Sequence, residues 1–348
     1  MYFAILWKNP EISLHELQLV QAKEISYPKK GIMIFDTKYK ELLPQLWGII
    51  KAGIVVKEKE LQELLADVKI IGIQNEANGK HLKNTIGIRR YKLVDIFHTD
   101  REIKNKGKEI INLENGLYGI VEQYQNIELY EAVDFSKPGR SMEMGMMPAK
   151  LAHIMINIWL SNMLHNSDFN IENICIYDPF VWSWTTGMLA NYLGYDFIGS
   201  DINTSYAEQN APWRKTTKFY TPDKQFEIFK HDIIQPLKAG IIDDEKKEGV
   251  LIVTEWRLWP IVTKTTSAED VQKFQTQVLK LYQSFLDRVQ ALWWAIAVFT
   301  IPYYLQQDNS LEQKITEYWN TIGLHIETIP EIYSREWQQI GRKIMIIK

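Results

Sequence analysis

The sequence predicts an α/β protein in which a doubly wound, mostly parallel sheet follows a smaller N-terminal α+β region. In the C-terminal part, short apolar runs alternate with long helical segments, which is the pattern of βαβ units. In the first 75 residues, apolar runs alternate with polar stretches of helical character. The 348 residues suffice for two domains. We expect residues 1–135 to form the first domain, residues 136–150 a linker, and residues 151–348 the second domain.

The N-terminal elements are predicted from alternation of apolar and polar segments. Residues 80–135 show weak periodicity and many charges, so no element is predicted there. The Pro/Gly-punctuated stretch SKPGRSMEMGMMPA predicts the linker. The strand candidates are YFAIL, GIMIF, GIVV and VKIIGI, and the helix candidates are PEISLHELQLVQAK, KYKELLPQLWGIIK and KEKELQELLAD.

The C-terminal elements begin with KLAHIMINIWLSNML, whose apolar residues have helical spacing. The run NICIY predicts a buried strand, and MLANYLGYDFIGSDI predicts a helix and a second strand, which together make one βαβ unit. A long helical segment, SAEDVQKFQTQVLKLYQSFLDRVQ, lies between later strands. Those strands are FEIFKHDI, GVLIVTEW, AIAVFTIPYY, HIETIPEIYS and GRKIMIIK.

The composition is that of a soluble globular protein, with 46% hydrophobic and 24% charged residues. The longest apolar stretch, ALWWAIAVFTIPYYL, is too short and too aromatic to span a membrane. The N-terminus has no basic leader. Cys175 is the only cysteine, which excludes an internal disulfide and a cysteine-rich metal site. We therefore expect a cytoplasmic protein with no metal and no membrane partner.

A basic segment lies at residues 80–108, which carry nine basic and three acidic residues with aromatic residues between them. Such a surplus suits a polyanion, although a solvated helix face or loop explains it equally well. The candidates for phosphate contact are Arg89, Arg90, Lys104, Lys106 and Lys108.

Three acids follow three predicted strands, where a doubly wound sheet binds its ligand. Asp178 follows the first strand, Asp201 the second and Asp232 the third. An acid after the second strand can accept hydrogen bonds from ribose hydroxyls, and Asp232 can meet an adenine amine. Any one of them alone would be read as a helix N-cap or turn residue. Together they indicate a nucleoside cofactor, either a nicotinamide dinucleotide or S-adenosylmethionine.

The segments DPFVWSWTTG and GYDFIGSDI resemble the DPFxGxGT and G.D signature of class I S-adenosylmethionine-dependent methyltransferases. More narrowly, they resemble the branch that methylates N2 of guanosine-10 in tRNA and carries an N-terminal THUMP-type RNA-binding region. Other segments of that branch are similar to KPGRSMEMGMMPAKLAHIMINI, YSREWQQIGRKIMIIK, FAILWKNPEISLHELQ and LWGIIKAG. Residues 55–130 diverge, so the THUMP-like part is shortened or altered.

The resemblance implies a Rossmann-like methyltransferase domain, S-adenosylmethionine as cofactor and tRNA as partner, with a small activating subunit as a second candidate partner. Glu255 would face the target amine, with Thr254, Arg257 and Pro260 completing the catalytic set. Trp256, Arg257 and Leu258 stand where the family has proline and a stacking aromatic residue, which leaves base stacking unassigned. The implied cofactor-binding residues are Asp178, Pro179, Phe180, Trp182, Trp184, Thr185, Asp201, Ile202 and Asp232.

Tryptophan stands at turns where glycine is expected, in a chain with twelve tryptophans and 18 glycines. One hypothesis is that the source organism reads UGA as glycine and that the printed sequence reads it as tryptophan. A second is that the indoles block the cofactor loop of an inactive tRNA-binding homologue, and a third is that they are scattered core aromatics. The positions concerned are Trp7, Trp47, Trp182, Trp184, Trp256, Trp259 and Trp337.

Two other activities stay open at this point. One is methylation of an amine in another nucleic acid, which the same motifs allow. The other is a nicotinamide dehydrogenase, although no acid or base for hydride transfer follows the fourth strand.

Overall fold

The computed structural model describes residues 1–140, 146–164, 174–237, 250–255, 262–263, 265–292, 296–305, 310–335 and 338–347. The chain divides into two compact units, Met1–Asn126 and Ile127–Lys348. Residues 127–135, which we assigned to the first domain, lie in the second unit, where Asp134 accepts a hydrogen bond from the Ala149 amide.

The first unit is an α+β structure built on one eight-stranded sheet. Its elements are β1 (Tyr2–Leu6), α1 (Pro10–Leu17), β2 (Lys23–Lys29), β3 (Ile32–Asp36), β4 (Ile49–Lys57), α2 (Glu58–Leu64), β5 (Ile71–Ile73), α3 (Glu76–Ile86), β6 (Tyr91–Leu93), α4 (Arg101–Lys106), β7 (Lys108–Glu114) and β8 (Leu117–Tyr124). The strand order is β2-β3-β1-β4-β8-β7-β5-β6. Strand β5 runs parallel to β6 and β7, and the other pairs are antiparallel.

The predicted helix over KYKELLPQLWGIIK is wrong. Residues Lys40–Gln45 form a short 3-10 turn, and strand β4 already begins at Ile49. Pro44 lies inside the turn. Proline has no amide hydrogen, and its ring clashes with the carbonyl of the preceding turn, so a longer helix is disfavoured.

The second unit contains a seven-stranded sheet with helices. Its elements are α5 (Ile127–Glu131), α6 (Ala149–Leu164), β9 (Cys175–Asp178), α7 (Thr185–Leu193), β10 (Asp196–Asp201), α8 (Ser205–Trp213), β11 (Phe226–Lys230), β12 (Val250–Glu255), α9 (Ala268–Ala291), β13 (Ile296–Tyr304), α10 (Ser310–Thr321), β14 (Ile326–Tyr333) and β15 (Ile340–Ile347). The strand order is β11-β10-β9-β12-β13-β15-β14. Strands β9 to β13 are parallel, and β15 runs antiparallel between β13 and β14.

This arrangement confirms the predicted fold class, a Rossmann-like, mostly parallel sheet preceded by a smaller α+β region. The central strands are buried on both faces, as expected for parallel strands. Tyr177 of β9 and Ile252 of β12 pack in a cluster with Tyr282 and Phe285 of α9. Helix α6 contacts β12 and β13.

The order of the strands determines where a ligand can bind. Strand β9 is central, and β10 and β12 pair with it on either side. Their carboxyl ends therefore meet at one edge, the position where open α/β sheets bind ligands. Within the residues described above, no helix is long and apolar enough to cross a membrane.

Candidate cofactor and active site

A cavity of about 530 Å³ lies at the carboxyl ends of the parallel strands of the second unit. Its wall is formed by the loop after β9, the loop after β10, the segment after β11, the end of β12 and helix α9. The structure therefore brings together most of the predicted cofactor residues and the predicted catalytic acid. The predicted residues that line the cavity are Asp178, Pro179, Phe180, Trp182, Thr185, Asp201, Ile202, Asp232 and Glu255.

Asp178 ends β9 and ties it to β12. Its Oδ1 accepts a hydrogen bond from Thr254 Oγ1 at 2.6 Å and another from the Phe180 amide at 3.0 Å. The residue is 2% exposed, and burial raises the pKa of its carboxyl group to about 7. Asp178 thus fixes the start of residues 179–185, the predicted cofactor loop.

Thr254 was expected in the catalytic set, but its side chain does not line the cavity. It is 1% exposed, and its hydroxyl donates to Asp178. The placement makes Thr254 a positioning residue for the loop. The other two catalytic candidates, Arg257 and Pro260, lie outside the described residues.

Asp201 ends β10 and joins two loops of the cavity. Its Oδ2 accepts the Trp182 amide at 3.2 Å, and its Oδ1 accepts the Asn203 amide at 2.9 Å. The next residue, Ile202, is 64% exposed and lies on the rim of the cavity. Asp232 is exposed and accepts the Ile234 amide at 3.1 Å. Asp232 therefore keeps lone pairs that a ligand in the cavity can use.

Glu255, at the end of β12, is a buried acid on the cavity wall. Its Oε1 accepts a hydrogen bond from Nε of Arg342, a residue of β15 that is 2% exposed. Burial raises the pKa of Glu255, and the Arg342 charge opposes the rise. Arg342 also lies over the ring of Tyr333, with Cζ 5.7 Å from the ring centroid. The site therefore contains a buried carboxylate with its own cation.

The cofactor loop contains two tryptophans in the left-handed region of backbone space. φ is +36° at Trp182 and +62° at Trp184. This conformation raises the free energy of residues other than glycine by about 1–2 kcal/mol. The turn is closed by a hydrogen bond from the Trp184 amide to the Val181 carbonyl at 2.6 Å. The backbone of the loop therefore has the conformation that glycine favours at both positions.

The two indoles point to different places. The Trp182 indole lies against Tyr206, with ring centroids 5.1 Å apart, and Trp182 lines the cavity. The Trp184 indole packs away from the cavity, between Phe197 and Phe226. Its Nε1 is buried without a hydrogen-bond partner among the described residues. Trp182 thus narrows the cavity, whereas Trp184 fills space behind the loop.

The remaining tryptophan positions give no such backbone signal. φ is not positive at Trp7 or Trp47, so the left-handed argument covers only two of the seven positions. Trp47 is 2% exposed and its amide donates to Glu16 at 2.7 Å. Trp256, Trp259 and Trp337 lie outside the described residues.

The basic candidates of the first unit are all exposed. Arg89 and Arg90 precede β6, Lys104 and Lys106 lie on α4, and Lys108 begins β7. Acidic neighbours neutralise part of the charge in this segment, since Arg90 pairs with Glu102 at 2.5 Å and Lys92 pairs with Asp100 at 2.8 Å.

Sequence reasoning missed several residues at the site, among them Lys137, Arg342 and His231. Lys137 donates to two hydroxyls of the cofactor loop, Arg342 pairs with Glu255, and His231 lies on the cavity wall. The first two contacts join residues far apart in sequence, so no local pattern reveals them. Position offered a signal for His231, which follows a strand directly beside Asp232. Among the described residues, no group of histidine, cysteine or acidic side chains could hold a metal ion.

No family model and no curated protein matches this sequence. Among solved structures, the chain aligns with a "possible methylase" from Clostridium difficile 630, at 11% identity over 99% of this chain and 97% of that one, with a TM-score of 0.44. A "predicted N6-adenine-specific DNA methylase" from Listeria monocytogenes aligns at 11% identity over 99% and 95%, with a TM-score of 0.40. Magnesium protoporphyrin IX methyltransferase from Synechocystis aligns at 11% identity over 64% and 94%, with a TM-score of 0.36. Such low scores assign no activity.

Proposed function

We propose that this protein transfers a methyl group from S-adenosylmethionine to the exocyclic N2 amine of a guanine in tRNA. The observation that carries the proposal is the cavity to which the Asp178 loop, Asp201, Asp232 and Glu255 all contribute. Its volume, about 530 Å³, falls within the usual range of ligand sites.

The lining of the cavity fits a nucleoside joined to an amino acid. Asp201 follows the second strand and can accept hydrogen bonds from ribose hydroxyls. Asp232 can accept from an adenine amine, and the apolar side chains of Ile202 and Ile233 can flank the base. The loop Pro179–Thr185 is left for the amino-acid end. As printed, the Trp182 indole is the one misfit, because it occupies part of this wall.

Glu255 is suited to act on the amine that receives the methyl group. When bound, S-adenosylmethionine supplies an electrophilic methyl group on a positively charged sulfur. A guanine N2 lone pair is delocalised into the ring, so a carboxylate that accepts the N–H raises the electron density on nitrogen. Arg342 occupies Oε1 of Glu255, which leaves Oε2 to accept that N–H and then to take the proton released from the methylated nitrogen.

The choice of tRNA rests on the sequence motifs and on the basic surface of the first unit. Arg89, Arg90, Lys104, Lys106 and Lys108 are exposed and would contact phosphates, a role that carries affinity rather than sequence selectivity. An amine of another nucleic acid is the alternative substrate. We propose the first unit, Met1–Asn126, as the RNA-binding region and the second unit, Ile127–Lys348, as the methyltransferase domain.

The proposal includes glycine at positions 182 and 184 of the cellular protein. The positive φ values at both residues support it, and so does the buried Nε1 of Trp184, which finds no partner among the described residues. The codons settle the matter: UGA at these positions, in an organism that reads UGA as glycine, is expected, and UGG would refute the idea. With true tryptophan, the protein would be an inactive tRNA-binding homologue, because the Trp182 indole lines the cavity.

Calorimetry and nucleoside analysis test the proposed activity. S-adenosylmethionine is titrated into the chain as printed and into the Trp182→Gly/Trp184→Gly variant. We expect binding to the variant and weaker or no binding to the printed chain. The variant is then incubated with bulk tRNA and labelled cofactor, and the tRNA is digested to nucleosides. N2-methylguanosine is the expected product. A label on another amine would identify that amine as the substrate instead of guanine N2. Absence of cofactor binding in both chains would refute the proposed methyltransferase activity.

A further inference from the structure

Lys137 is a lysine buried at the cofactor loop. Lys137 is 3% exposed and lies between α5 and α6, 46 residues before Ser183. Its Nζ donates to Ser183 Oγ at 3.0 Å and to Thr185 Oγ1 at 2.6 Å. Both hydroxyl residues line the cavity. A buried ammonium group thus lies directly behind two polar side chains of the ligand wall.

The charge of Lys137 lacks a direct counterion in the part of the chain that the structure describes. Among the described residues, the ion pairs with N···O distances within 4 Å do not include Lys137. Asp134 interacts with Lys137 electrostatically but without a direct hydrogen bond. Burying an ammonium group without an anion is costly, and burial accordingly lowers the pKa of Lys137 to about 7. An anion that binds close by would remove this cost.

The hydroxyls of Ser183 and Thr185 lie between the Lys137 ammonium group and the cavity, and their hydrogens can point toward a ligand. Because Nζ donates to both oxygen atoms, each hydroxyl hydrogen must point elsewhere. The two oxygens are 3.4 Å apart, so at most one hydroxyl can donate to the other and at least one is left for a ligand. Thr185 is also the first residue of α7, whose free backbone N–H groups favour an anion. The acids Asp201, Asp232 and Glu255 belong to other strand ends.

We propose that Lys137, acting through Ser183 and Thr185, forms a subsite for the carboxylate of the ligand's amino-acid end. The inference rests on the proposed function, because it takes S-adenosylmethionine as the ligand. It adds which residues would recognise the amino-acid end, and it explains why the chain keeps a lysine buried at this position. Lys137 is a positioning residue here, since the two hydroxyls lie between it and the cavity.

A pair of ligands tests the subsite. S-adenosylhomocysteine carries the amino-acid carboxylate, and 5′-deoxy-5′-methylthioadenosine has the same nucleoside without it. Both are titrated by calorimetry into the full-length Trp182→Gly/Trp184→Gly chain and into the same chain with Lys137→Met. The chain as printed is a second background. Lys218→Met, which removes an exposed lysine of the same unit, is the matched control.

We expect Lys137→Met to weaken the affinity for S-adenosylhomocysteine roughly 10- to 100-fold, the loss typical of a hydrogen bond to a charged group. Binding of methylthioadenosine should change less than about 2-fold, which also shows that the variant is folded, and Lys218→Met should change neither. Equal loss of both ligands would make Lys137 merely structural and overturn the inference. Equal binding of both ligands before mutation would overturn it while leaving the proposed function intact. Binding of neither ligand would overturn both.

Discussion

Trp182→Gly and Trp182→Ala together separate the effect of the backbone from the effect of the indole. Both variants remove the indole, so they differ in the one methyl group and in the freedom of the backbone. At an ordinary φ the alanine variant is the more stable one by about 0.4–1 kcal/mol, because glycine has more conformational entropy to lose. At the φ of +36° found here, alanine pays about 1–2 kcal/mol for the left-handed backbone.

The two contributions give the sign and size of the expected difference. Subtracting the entropic advantage of alanine from its left-handed cost leaves the glycine variant more stable by up to about 1.5 kcal/mol. The same comparison at Trp184, where φ is +62°, should give the same sign. Both variants at position 184 should be less stable than the protein with tryptophan there, because the Trp184 indole is 1% exposed and removing a buried large side chain costs about 3–5 kcal/mol.

The assay is urea unfolding followed by circular dichroism, with the free energy taken from the linear dependence on urea. Trp47 is the control, because it is buried but has no positive φ. There, Trp47→Ala should be more stable than Trp47→Gly. Alanine variants that are more stable than the glycine variants at 182 and 184 would refute the argument that this loop is built for glycine.

Three further predictions follow from buried and exposed charges. Arg342→Met should lower the free energy of unfolding by about 3–5 kcal/mol, because it leaves the Glu255 carboxylate buried without its cation. Lys343→Met, on the same strand as Arg342, breaks a partly exposed pair with Glu312 of α10 and should lower the free energy of unfolding clearly less; equal urea midpoints for the two variants would contradict this reasoning. Asp178→Asn should flatten the dependence of stability on pH. The pKa of Asp178 is raised from 3.8 to about 7, so the folded state binds more protons than the unfolded state between these values and loses stability as pH rises through that window. Unfolding midpoints at pH 5 and pH 7.5 measure the change, and an unaltered slope would show that Asp178 is not protonated in the folded protein. Replacing the five basic candidates of the first unit by glutamate should weaken tRNA binding and reduce the slope of log affinity against log salt by roughly 4. The control reverses two other exposed lysines, Lys38 and Lys40, and an unchanged slope in the five-fold variant would remove the phosphate contacts. The five candidates are Arg89, Arg90, Lys104, Lys106 and Lys108.

The acids of the site could be predicted because each follows a strand that the sequence reveals. Asp178, Asp201 and Glu255 come directly after apolar runs, and parallel strands present their carboxyl ends at one edge. The topology therefore places them in one cavity as soon as the alternation of strands and helices is recognised. The same local reasoning failed at Pro44, where one residue outweighed a helical pattern of apolar side chains.

The cations of the site could not be predicted, because their partners are set by the tertiary structure. Lys137 reaches Ser183 across 46 residues of sequence, and Arg342 reaches Glu255 across 87. The strand β6 was missed for a different reason. It has only three residues, which is too short for an alternation of apolar and polar side chains to show.

The position of β15 has a consequence for the order of folding. Strand β15 lies inside the sheet, between β13 and β14, and it carries the Arg342 that pairs with Glu255. During synthesis the Glu255 carboxylate emerges well before its cation, and contacts between residues so distant in sequence form slowly. We expect the carboxylate to stay hydrated and exposed until β15 inserts, so that this corner of the cavity assembles in the final stage of folding.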